Sequence, residues 1–187
     1  MLQKVDTRQV RVYDPRGLIR AENVALAPRA GKLDGLRLGV LDNAKWNANK
    51  LLRGAMAALG ESVKFAQVNY YVKHSFSKDA FPELIEKIAA ENDIVLTAIG
   101  DCGSCTSACI RDAIALEKRG IPTAAIVTTE FVRETALTRT ALGMAELEPI
   151  IISHPVSSIT QEQVDQRVAQ IKTQSQAVWL GDKLRIG

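Results

Sequence analysis

No stretch of this chain stays apolar over the roughly 18 residues that a membrane-spanning helix needs, so no membrane role is expected. The opening residues, MLQKVDTRQV, lack the apolar core of a secretory signal. That lack predicts a protein of the reducing cytoplasm, where clustered cysteines point to catalysis or metal rather than to a structural staple. Aromatic residues are few, with 2 Trp, 3 Tyr and 4 Phe, and the net charge is only +3. A nucleic-acid surface wants a basic stripe interleaved with stacking rings, and basic clustering is confined here to Arg16 through Arg29. Nucleic acid is therefore not an expected partner. There is no phosphate loop of the Gly-Lys-Ser/Thr type, no G-x-G-x-x-G and no serine elbow, so nucleotide binding and serine hydrolysis lose their usual support.

What remains is an ordinary globular composition, 47% apolar and 24% charged over 187 residues, enough for one domain with a real core. Residues 1–34 are polar, carry Pro15 and Pro28, and lack sustained periodicity, so they read as an arm, suited to packing on a partner. From Leu36 the pattern changes to short apolar runs alternating with segments of helical period. The runs are Leu36–Leu41, Val63–Val68, Ile94–Ile99, Ile121–Val127 and Pro149–Ile152. The helices are expected over Asn47–Leu59, Phe81–Ala90, Ser104–Lys118, Phe131–Leu142 and Thr160–Ile171, the last with Thr160 as its N-cap. This alternation predicts an α/β domain over residues 35–172, with a doubly wound, flavodoxin-like parallel sheet of about five strands. Residues 173–187 form a half-apolar C-terminal tail.

In an open parallel sheet, ligands bind beyond the carboxyl ends of the strands. The segments following the five expected strands are DNAKWN, NYYVKH, GDCGSCTSAC, TTE and SHP. Both histidines, His74 and His154, and all three cysteines, Cys102, Cys105 and Cys109, thus gather on one edge with Lys45. Gly100 and Gly103 flank the first thiol and allow a tight turn. Cys102 falls just before a helix and Cys105 in its first turn, where free N–H groups and the helix dipole favour a thiolate. The same head, with Gly103, Ser104 and Thr106, can hold an anionic group of a substrate. In a C-x-x-C pair the first thiolate attacks or is oxidised, and the second resolves the adduct as a disulfide. Cys109, four residues on, also reads as a small buried hydrophobe.

Metal is the rival reading. Cys102, Cys105 and Cys109 with His154 make a Cys₃His set for zinc, and the three thiolates alone can carry an iron–sulfur cluster for lyase or hydratase chemistry. Lys45 is suited to an anionic group or a polarised carbonyl, and His154 to acid–base work or to keeping Cys102 ionised. Glu130 is either a site carboxylate or a helix cap. Tyr70 and Tyr71 read as packing or rim residues, Trp46 and Trp179 as core or interface, and the YYVKHSFSKD loop as long enough for a lid.

The segment IGDCGSCTSACIRDAIALEKRGIPTAAIV resembles the redox segment of the UGSC family, named for a selenocysteine–Gly–Ser–Cys motif that often begins with cysteine. It is in turn similar to the selenocysteine–x–x–Cys region of the selenoprotein B subunit of glycine, sarcosine and betaine reductases. LGVLDNAKWNA resembles the family's Leu-Asp-Asn-x-Lys-x-Asn block and IIISHPVSS its His-Pro block, so the likeness spans Leu36 to Ser158. It implies that Cys102 stands in the selenocysteine position with Cys105 as partner, and that Asp42, Asn43, Lys45 and Asn47 orient a substrate. The expectation is a thiol-dependent redox or carbon–heteroatom bond enzyme acting on a small anionic organic molecule. The reductases work as complexes, so a homo-oligomer, or a non-catalytic redox subunit of a larger assembly, is also implied. Sulfur at Cys102, in place of selenium, is a poorer leaving group.

Overall fold

Apolar runs of four to seven residues that alternate with helical segments bury themselves best as a parallel sheet covered on both faces. The computed structural model describes residues 21–182 and shows that arrangement. Its strands are β1 (Arg37–Asp42), β2 (Gln67–Val72), β3 (Ile94–Gly100), β4 (Thr123–Thr128) and β5 (Ile150–Ile152). Its helices are α1 (Ala48–Gly60), α2 (Pro82–Glu91), α3 (Gly103–Glu117), α4 (Val132–Ala141) and α5 (Gln161–Leu180), with a 3-10 turn, Thr129–Phe131, ahead of α4. All strand pairs are parallel, in the order β2-β1-β3-β4-β5, which is the flavodoxin-like order. Every residue of β3 and β4 is buried, as their unbroken apolar runs require at the centre of the sheet.

Successive side chains leave a strand on opposite faces, and the core divides accordingly. Leu38, Val40, Leu96 and Ile126 pack under α1 and α5 with Leu52 and Trp179. Leu41 and Val95 face the other way, against Ile85 and Ile88 of α2 and Leu116 of α3. Ala125 and Val127 meet Ile110 and Ala113 of α3, with Met144 and Leu147 beyond. Each fully buried Leu or Ile of this set stabilises the fold by roughly 1.5–3 kcal/mol. Among the described residues no helix is long and apolar enough to cross a membrane.

Three differences from the sequence reading have physical causes. The second strand lies at Gln67–Val72 rather than Val63–Val68, so Tyr70 and Tyr71 belong to the strand and not to the loop after it. Val63 is buried and Phe65 packs on the core from a connection, whereas the real strand lies at the sheet edge and exposes Val68 and Val72. Apolar content marked the wrong segment because an edge strand does not need it. The last helix continues past Ile171 to Leu180, since Ser175, Val178 and Trp179 of the expected tail supply its buried face. Thr160 caps it as expected, in a reciprocal capping box with Gln163. Finally, the described part of the arm, from Ala21, lies on the domain itself: Val24 N–H donates to the Gly143 carbonyl at 2.8 Å and Ala30 N–H to that of Trp179 at 2.8 Å. Ala27 and Leu33 are buried there, and the buried Glu117 carboxylate accepts from Ala27 N–H and pairs with Arg29. Residues 1–20 and 183–187 lie outside the described residues.

Candidate functional site

The strand order reverses between β1 and β3: the chain passes from β1 outward to β2, then from β3 outward the other way. The loops leaving these two neighbours must therefore diverge to opposite faces, opening a crevice between them. The end of β1 and the loop after it carry Asp42 to Asn47, and the chain leaving β3 carries Asp101 and Cys102 into the first turn of α3, which holds Cys105. The two chemically richest loops of the chain thus meet at the switch point.

The β1 loop is an unusual turn. Ala44 and Asn47 have positive φ, 60° and 63°, a region that costs a residue with a Cβ about 1–2 kcal/mol. Side chains hold it there. Asp42 accepts from Ala44 N–H at 2.7 Å and from the Tyr70 hydroxyl at 2.6 Å, and burial followed by that hydrogen bond pushes the Tyr70 phenol pKa up. Asn43 accepts from Lys45 N–H at 3.2 Å and donates from Nδ2 to the Ile99 carbonyl at 3.0 Å. Asn47 donates to the carbonyls of Val156, at 2.7 Å, and Ser157. Three of the four residues implied to orient a substrate thus set the path of the loop, and the fourth, Lys45, reaches out of it.

Lys45 Nζ lies 3.3 Å from Cys105 Sγ and 3.1 Å from Asp101 Oδ1. The second is an ion contact outside hydrogen-bond geometry, which leaves Asp101 Oδ1 buried with no hydrogen-bond partner among the described residues. The Phe76 ring, 5.0 Å away, stands over the ammonium as a cation–π neighbour.

Cys102 and Cys105 are joined as a disulfide, with their Cα atoms 5.3 Å apart. Cys102 is the N-cap of α3 and its Sγ accepts from Cys105 N–H at 3.3 Å, so the helix head does meet the first sulfur. Cys102 is half-exposed and Cys105 fully buried. Gly100 is the glycine that the turn requires: a Cβ there would lie 2.9 Å from the Thr106 Cα. Gly103, expected to serve the same purpose, has open space around it. Ser104 is exposed, its hydroxyl 3.7 Å from Cys102 Sγ, whereas Thr106 is fully buried, its hydroxyl without a partner among the described residues.

The remaining candidates stand apart from the disulfide. Cys109 is buried on the inner face of α3, its thiol 4.0 Å from the Ile126 carbonyl, and burial first, then Asp112, pushes its pKa up to about 12. His154 is half-buried, with Nδ1 3.1 Å from the Thr128 hydroxyl and its ring edge-on to Phe131, and none of its hydrogen bonds reaches a cysteine. Glu130 is exposed in the 3-10 turn. His74 stacks on Phe81 at 3.9 Å. The loop it belongs to is anchored by a buried ion pair, Lys73 with Asp112, whose carboxylate also accepts from Ala80 N–H at 2.8 Å. Trp179 is core, as expected, whereas Trp46 is 71% exposed and lines an open depression beside the site.

That depression, about 470 Å³, is bounded by the β1 loop from Asp42 through Asn47, by Asn49 and Lys50 of α1, and by Val72. Asp101 and Phe76 are the site residues that sequence reasoning passed over. Asp101 carried a signal, an acid directly ahead of a C-x-x-C at a strand end, while nothing local marks Phe76. In donor atoms, an Asp101 oxygen and the sulfurs of Cys102 and Cys105 lie within 4.8 Å of one another, and Cys109 is not part of this group.

No curated protein matches the chain. The family model described as the UGSC family matches residues 11–181, and the likeness of the cysteine turn to the reductase subunit is not part of that match. The match takes in both switch-point loops and the helix that carries the cysteine pair, and the chain belongs to the UGSC family.

Proposed function

We propose that this protein is a thiol-dependent enzyme that performs redox or carbon–heteroatom bond chemistry on a small anionic organic substrate through the Cys102–Cys105 pair. The observation that carries this reading is the pairing itself: a half-exposed sulfur at a helix head, bonded to a buried one that a lysine ammonium touches. In the reduced form, the Cys102 thiolate, assisted by the Cys105 N–H at the head of α3, attacks the substrate carbon and displaces its heteroatom group, which leaves with the bonding pair. The Cys105 thiolate then attacks Cys102 Sγ: the sulfur–carbon bond breaks, the carbon keeps the electron pair and takes a proton from solvent, and the disulfide closes until an external dithiol reopens it. Two electrons pass from the two thiolates to the substrate in that cycle. The depression beside Lys45 supplies cationic ends in Lys45 and Lys50 and an apolar wall in Trp46 and Val72, and its one carboxylate, Asp42, is taken up by Ala44 N–H and the Tyr70 hydroxyl, which suits an organic anion.

A specific observation also gives the metal reading a form. With the disulfide open, Asp101, Cys102 and Cys105 offer three donors close together. Lys45 contacts two of the three, so a positive charge already stands where a cation would bind, and this favours the thiol reading. Cys109, buried against the Ile126 carbonyl, is poorly placed to complete a cysteine triad.

The test is a thiol count. Of the 3 cysteines, all titrate in the reduced, denatured protein. Incubation of the reduced protein with oxidised glutathione, in the presence of a chelator, is expected to remove two thiols and yield a Cys102–Cys105 peptide. No loss of thiols, or a loss that requires added metal, contradicts the reading.

A further inference from the structure

We infer that Lys45 is the leaving-group cation for Cys105, held between that sulfur and Asp101, and that Cys102 is the sulfur an external thiol attacks. This rests on the thiol reading above and assigns the roles of the two sulfurs and their neighbours.

Thiol–disulfide exchange depends on which sulfur can be reached and on how well the other bears negative charge. Cys105 is fully buried while Cys102 is half-exposed, so attack falls on Cys102. When a thiolate from a small dithiol reductant attacks Cys102 Sγ, a new sulfur–sulfur bond forms there and the Cys102–Cys105 bond breaks. The electron pair leaves on Cys105 Sγ, 3.3 Å from the Lys45 ammonium. The reductant's second thiolate then attacks its own sulfur in the mixed disulfide, leaves as a cyclic disulfide and frees the Cys102 thiolate. Two electrons have moved to the protein, and the reductant has been oxidised.

A buried thiolate without a counter-charge is disfavoured by desolvation. Cys105 gains no help from the helix head, because its own N–H points to Cys102. Lys45 is the cation in contact with it, and Phe76 over the ammonium limits its access to water. Asp101 has the opposite effect. One of its carboxylate oxygens lies within 4.8 Å of both sulfurs, and its buried Oδ1 has the Lys45 ion contact but no hydrogen bond among the described residues. Buried polar atoms without partners are rare enough to need a reason. The reason offered by the geometry is that one ammonium is shared: with the disulfide closed, Lys45 donates to Cys105 and keeps only an ion contact with Asp101, and that contact weakens further when Cys105 takes up negative charge. Negative charge on Asp101 thus tempers the acidity of the pair, and the two neighbours act with opposite sign.

The experiment uses the full chain and dithiothreitol as the reductant. Reduction is quenched with an alkylating agent at intervals, and thiolate formation is followed by ultraviolet absorbance against pH. Lys45→Met is expected to slow opening of the disulfide about tenfold or more and to raise the apparent thiolate pKa by about 1. Lys45→Arg restores most of the rate, which separates lost charge from lost structure. Asp101→Asn shifts the thiolate pKa downward. A Lys45→Met rate within about twofold of the parent overturns the assignment, as does an Asp101→Asn pKa that rises like that of Lys45→Met. In either case the parent still exchanges thiols, so the enzyme reading stands. Failure of the parent disulfide to open at all overturns both.

Discussion

At the scale of single residues, the three thiols of this chain occupy three different electrical settings, though they lie within eight residues of one another. The helix head gives Cys102 an N–H donor, Lys45 gives Cys105 an ammonium, and Cys109 is buried beside the Lys73–Asp112 pair. For Cys109 the dominant effect is burial, which carries its pKa from 9.0 to about 12. Its ionisation therefore favours the unfolded chain. A group that loses its proton more readily when unfolded makes the unfolded state bind fewer protons, so stability falls as pH rises between those two values. The slope reaches about 1.4 kcal/mol per pH unit in that window. Urea unfolding from pH 8 upward is expected to show a decline that is shallower in Cys109→Ala than in the parent; identical slopes would show that the thiol ionises freely in the fold.

At the scale of elements, the site depends on how closely α3 approaches the end of β3. Gly100 makes this approach possible, and its missing Cβ is matched by the Thr106 backbone. Gly100→Ala forces a contact under 3.0 Å on both the Cα and the hydroxyl of Thr106, which only a shift of the helix head can relieve. Overpacking of this kind costs about 1–3 kcal/mol. Chemical unfolding is expected to show that loss together with slower reduction of the disulfide, since Cys102 and Cys105 ride on the displaced turn. Gly103→Ala, with open space around it, serves as the control and is expected to change neither. The sequence could show that both glycines flank the thiol. It could not show which of them meets a neighbour, because that depends on how β3 and α3 pack.

At the scale of the whole molecule, the alternation of buried runs and helical segments was enough to read a five-stranded flavodoxin-like sheet, and to read that Lys45, Cys102 and Cys105 share its carboxyl edge; Cys109, placed there too, lies in the core. The central strands were legible because burial on both faces demands apolar residues throughout. The edge strand and the part of α5 beyond Ile171 were not, because one is half-exposed and the other buries only every third or fourth residue. The identities of Cys102 and Cys105 as a pair were likewise visible in their spacing. The partner of Lys45 was not, since Asp101 and Cys105 come from a distant segment that only the parallel pairing of β1 with β3 brings alongside. The claim on which everything else depends is that this edge makes Cys102 the reactive thiol. The direct measurement is alkylation of the fully reduced protein across pH, read peptide by peptide by mass spectrometry. The account predicts that Cys102 is labelled first, with its half-maximal rate below the pH of about 8.5 typical of a free thiol, Cys105 later, and Cys109 only on unfolding. Equal rates at all three positions, or Cys109 labelled as fast as Cys102, would contradict it.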